Sequence, residues 1–208
     1  LRALGTAAID ALTSSDLNAL STTQVAAFTT TQVAALTTAQ VAALTTTNLD
    51  ALTTAQFAAL TTTQVAALTT DQVANLQTAD FVALTTSQIH ALGTDQVASM
   101  TSSQFASLAT AQVQALTTAQ VAGLTTTEVH ALTTNQTAAL STAQVASLTT
   151  DQVAAISTAD LRAITTTAFT ALGSDQLNAL GTSQILALTS QEVTALTTTQ
   201  LSALGTAT

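Results

Sequence analysis

The side chains able to do acid–base or metal chemistry in this sequence are few: two histidines, eleven aspartates and glutamates, and two arginines in 208 residues. His90 and His130 would need a second and a third ligand close by to hold a metal ion, and the nearest acids in sequence are Asp95 and Glu128. Both histidines occupy a slot that elsewhere holds Arg, Asn, Asp or Ala, which marks them as surface spacers. Asp16, Asp80 and Asp160 could pair for general acid–base work only if the fold stacked them, although at least 64 residues separate each from the next. At a helix start the same acids have a simpler use, because the helix dipole favours negative charge there.

Cys, Pro, Trp and Tyr are absent and both basic residues are arginine, so thiolate metal sites, disulfides and lysine Schiff bases are excluded. Five of the six glycines recur in one repeat position rather than clustering in a phosphate loop, and no Asp-x-Asp-x-Asp-Gly calcium string occurs. No catalytic, cofactor-binding or metal-binding residue is therefore expected, and the chain reads as a non-enzyme. Arg2 and Arg162 against eleven acids give a net charge of -9, which opposes binding to nucleic acid. Membrane insertion is not expected either, since no run of about 18 apolar residues exists.

What the chemistry lacks, the periodicity supplies. The 208 residues make 26 octads with the consensus TTxQVAAL, without insertion or deletion. With Leu4, Leu12 and Leu20 set as position 8, that slot is nearly always Leu, with Phe28, Met100, Ile156 and Ile164 as substitutes. Position 5 is Val, Leu, Ile or Phe, with Thr137 as the polar exception. These two are the expected core slots. Position 7 stays small and implies a close contact, whereas positions 3 and 6 vary freely and should face water. Position 2 is Thr or Ser in every copy, from Thr6 to Thr206, and position 4 is Gln in most, with Asp16, Asn48, Asp80, Glu128, Asp160 and Glu192 as alternatives.

One continuous helix cannot carry this pattern. Eight residues at about 100° each leave the apolar face about 80° out of register after every octad. Strand alternation fails too, because positions 5 and 8 would point to opposite faces. Spacing of three is helical, so the expected fold is all-α: a solenoid of 26 octapeptide repeats over residues 1–208, one short capped helix of about six residues per repeat, with two to four octads per turn. A β-solenoid is the alternative, on the strength of the abundant Thr and Val. The unvarying position 2 is the preferred N-cap, so that Thr70→Ala should cost about 1 kcal/mol, and Gly at position 1 is expected to end the preceding helix in a left-handed conformation. A second register caps at position 1 and closes a capping box with Gln at position 4, as in Thr53 with Gln56. Gln at position 4 also has the reach to bond backbone groups of an adjacent repeat.

The string LTTAQVAAL at residues 36–44 resembles the opening of the repeats of plant-pathogen TAL effectors, over one short helix and without their proline or their period. Over its whole length, through the TTAQVAAL and TTTQVAAL strings, the chain resembles short Ala/Thr/Gln/Val/Leu repeats of large bacterial secreted or surface adhesin-like proteins. That resemblance implies a structural role outside the cell or on its surface, as a rod or filament, with end-to-end self-association or flanking repeats of the same chain as partners. A threonine-rich, lysine-free acidic composition points to the same extracellular setting. Because Leu1 stands in mid-repeat and no capping repeat is evident, the sequence is expected to be a segment of a longer chain or fibre. The alternative is a binding surface for ice or polysaccharide made from the Thr/Ser row.

Overall fold

A computed structural model of the chain describes residues 1–204, and every regular element among them is a short helix of four to seven residues. The helices run from α1 (Thr6–Asp10) to α25 (Thr198–Leu204), one in each octad, and no strand occurs among the described residues, which disposes of the β-solenoid. Contacts group the chain into two compact units, Leu1–Ser107 and Leu108–Thr208. Within the first unit each helix packs on the third one along, α1 on α4 (Thr30–Ala34), α4 on α7 (Thr54–Ala59) and α7 on α10 (Thr78–Ala83). The same rule holds inside the second unit, where α22 (Ser174–Asn178) packs on α25. Each unit is thus a solenoid with three octads, or 24 residues, to a layer.

Position 5 is the centre of the core: Val33, Val41, Leu49, Phe57 and Val65 are all fully buried. Position 8 closes it, with Leu36, Leu52, Leu60 and Leu68 at most 5% exposed. Burial of two such side chains per octad stabilises by roughly 3–6 kcal/mol. Thr137 enters position 5 without harm because its hydroxyl donates to the Thr133 carbonyl at 3.2 Å, one helical turn back. Phe57, Phe81 and Phe105 follow one another 24 residues apart on α7, α10 and α13 (Ser102–Ser107), helices that pack in succession, and all three are fully buried. Positions 3 and 6 face solvent, as at Thr63 and Ala66.

The helix start differs from the preferred reading. Position 1, not position 2, is the N-cap: Thr29, Thr37, Thr61 and Thr69 all have extended backbone, and their hydroxyls accept from the N–H three residues on. The register with the Thr53–Gln56 capping box is the one adopted. Reciprocity decides it. A cap at position 1 lets Gln at position 4 return a bond to the cap's own N–H, whereas a cap at position 2 would leave that N–H without one. Position 2 is the first helical residue.

Glycine at position 1 does not end the preceding helix either. Gly93 has φ -71° and ψ 158°, the same extended conformation as the threonines, and no described residue has positive φ. Helices stop instead because Leu at position 8 turns extended, as at Leu60 (φ -57°, ψ 140°), giving two extended residues between successive helices.

Thr69→Ala should therefore cost about 1 kcal/mol in thermal or urea unfolding, and Thr70→Ala, at an exposed first helical position, should stay within about 0.5 kcal/mol. Gly93→Thr should gain up to about 1 kcal/mol, because the added Cβ meets Gln96 Oε1 at an ordinary 3.4 Å and restores the cap hydroxyl. A left-handed Gly93 would give a loss in the same measurement.

Candidate functional site

A helix of five residues leaves most of its backbone groups without intrahelical partners, so the interesting chemistry of this fold lies at helix ends. The residue that resolves it is Gln at position 4. Gln64 on α8 (Thr62–Ala66) accepts from the Thr61 N–H through Oε1 at 2.7 Å, and its own N–H donates to Thr61 Oγ1 at 3.2 Å. Its Nε2 then donates to the carbonyls of Val33 and Leu36, at 2.9 and 2.6 Å, at the C-terminal end of α4. Gln72, Gln88 and Gln104 repeat this in the first unit, and Gln144, Gln152 and Gln184 in the second, always 28 and 31 residues back. One amide thus caps the start of its own helix and the end of a helix in the layer below. These glutamines are almost wholly buried, Gln64 being 2% exposed. The reach of Gln was foreseeable from its length, but its burial was not, since a polar residue at every eighth place reads as surface.

Where position 4 is not Gln, the joint is rebuilt locally. Asn48 on α6 (Thr46–Asp50) is too short to do both jobs: its Nδ2 donates to Leu17 O at 3.2 Å. The second job passes to Asn18, 30 residues earlier, whose Oδ1 accepts from Thr45 N at 3.0 Å and whose Nδ2 donates to Ala43 O at 2.8 Å. Asp160 accepts from the hydroxyls of Ser157 and of Thr134, the latter at 2.8 Å from 26 residues back. Asp16, fully exposed, takes Thr13 N–H and Oγ1 as donors, and these bonds hold its carboxyl below the usual range.

Three acids at position 4 lack such help. Glu128 accepts from Thr125 N at 2.6 Å through one oxygen, but Oε1, the atom standing where Gln carries its NH₂, is buried without a partner. Burial pushes the Glu128 carboxyl up, and the Thr125 bonds only partly offset it. Glu192 repeats the arrangement: Oε2 accepts from Thr189 N at 2.6 Å and Oε1 is buried without a partner. In Asp80 the orphan is Oδ2, and the only other buried orphan oxygen on a described side chain belongs to Asp50.

The remaining candidates stay apart. His90 and His130 lie on exposed faces, and Asp95 is exposed as well. Among the described residues no group of three or more His, Cys, Asp or Glu is placed to hold a metal ion. The Thr/Ser row at position 2, with its neighbours at positions 1 and 3, is solvent-exposed, as at Thr61, Thr62 and Thr63. No described helix is long and apolar enough to cross a membrane.

The ALTTAQ repeat family matches the chain in seven overlapping stretches: residues 1–30, 11–46, 46–78, 73–110, 105–134, 127–158 and 153–190. No curated protein sequence is significantly similar to it.

Gln64→Leu, which strands two buried carbonyls and an N–H, should destabilise the chain by about 2–4 kcal/mol in urea unfolding. Glu128→Gln should stabilise it at pH 8. Because the Glu128 carboxyl is raised in the folded state, its charged form costs stability above the folded pKa, and acidification relieves that cost. The advantage of the glutamine variant should accordingly shrink as pH falls toward 4, followed as the difference in unfolding midpoint.

Proposed function

Because the chain belongs to the ALTTAQ repeat family, we propose that it is a structural, non-enzymatic repeat module that builds a rod or filament outside the cell or on its surface, as an adhesin stalk or matrix fibre. The observation that carries this reading is the glutamine joint, which is the same from layer to layer and can be extended without limit. Val193 and Leu201, at position 5 of α24 (Ser190–Ala195) and α25, are 38% and 48% exposed where their counterparts are fully buried. The carbonyls that a further layer of glutamines would cap lie beside them. Another turn of the same repeat, from flanking chain or from a second copy, fits both needs.

A second reading rests on the exposed hydroxyls of positions 1 to 3, which recur every eight residues and suit an ordered hydration surface for ice or polysaccharide. Thermal hysteresis in dilute solution would support it.

Electron microscopy of the purified chain tests the first reading. Uniform fibres, or elongated particles with layers about 10 Å apart, are expected. Compact particles that neither elongate nor join end to end would refute it.

A further inference from the structure

Asp80 and Asp50 hold the two buried oxygens left over when every other joint in the first unit is satisfied. Asp80, on α10, occupies the position where Gln72 and Gln88 place an amide, and it is 4% exposed. Its N-cap is Gln77, which offers no side-chain bond, so the joint lacks its threonine as well. The offsets kept by Gln72 and Gln88, 28 to 31 residues back, fall for Asp80 on Leu49, Asp50 and Leu52, at the C-terminal end of α6. An ionised carboxylate there would set acceptor against acceptor, carbonyls below and the Asp50 carboxylate beside it. Asp80 Oδ2 and Asp50 Oδ1 are both buried without partners.

We infer that Asp80 and Asp50 share one proton, so that a carboxylic acid O–H supplies at this layer the donor that an amide supplies elsewhere. Asn18 and Asn48 show the geometry at work, since the same 30-residue offset brings position 6 of the lower layer to a shortened position 4 above. No compensating cation faces the pair. The helices packed on α10 are α7 and α13, neither with a titratable residue, and α6 contributes Asp50 alone. On the adjoining helices, Asp71 and His90 lie at exposed positions. Burial, and next the Asp50 charge, push the Asp80 carboxyl up to about 6, in keeping with a retained proton. A proton needs only the two oxygens present, whereas calcium takes six to eight oxygen ligands, and two carboxylates fall short of that number.

The joint is thereby coupled to pH. Asp80 is raised in the folded state, so its charged form opposes folding above about pH 6, and the opposition fades between about 6 and 3.8, the ordinary value. The direct test is a ¹³C NMR titration of the Asp80 carboxyl in the intact chain. A midpoint near 6 that drops in Asp50→Asn is expected. A wild-type midpoint near the ordinary value, or one that Asp50→Asn leaves in place, overturns the shared proton. Asp80→Asn, which copies the residue found at Asn48, supplies a permanent donor. Its unfolding constant relative to wild type should change by about 100-fold between pH 8 and pH 4, from the two-unit shift. A pH-independent ratio counts against the inference, as does a carboxyl midpoint displaced downward by millimolar calcium chloride, which would assign the site to a metal cation.

Discussion

Everything in this molecule follows from carbonyl groups that a very short helix cannot satisfy. A helix of five or six residues has about as many unpaired donors and acceptors as paired ones, and in isolation it would not form. The solution is to make one helix's leftover acceptors the anchorage of another helix's cap. Gln at position 4 does this with both ends of a single amide, accepting at its own N-cap and donating below. Secondary and tertiary structure are consequently not separable: a helix begins where it is capped, and its capping residue is held in place by the layer beneath.

The core obeys the same geometry. Positions 5 and 8 turn inward because a cap at position 1 sets the helix phase, and position 4 is buried beside them because its partners lie in the layer below. Two extended residues, the Leu at position 8 and the cap at position 1, carry the chain round to the next helix without any left-handed residue. That explains why glycine is optional at position 1 and why Thr, Ser, Ala and Gln can all replace it.

Much of this was legible in the residues. The three-residue spacing of the apolar slots demanded helices, and the octad that could not sustain one long helix demanded many short ones. The cap was misplaced because invariance at position 2 outweighed the T-x-x-Q signature, although reciprocal bonding, not constancy, is what stabilises a helix start. The layer size was readable from Phe57, Phe81 and Phe105, whose 24-residue spacing marks one column. The buried acids were harder to see. Asp80 and Glu128 look like ordinary first-turn acids until the layer below takes away their solvent. The histidines, by contrast, were placed on the surface by the company their slot keeps, and there they lie.

The pairs at a 30-residue offset bear on how such an array can change its length. Any octad can replace another in the common joint, because Gln finds equivalent carbonyls whichever repeat lies beneath. Loss or duplication of a whole octad would therefore go unnoticed by most layers. It would not go unnoticed by Asn18 with Asn48, or by Asp50 with Asp80: one octad removed between the partners leaves each facing a stranger. Such private couples act as registration marks in an otherwise uniform ruler, tying particular repeats into blocks that are gained or lost together.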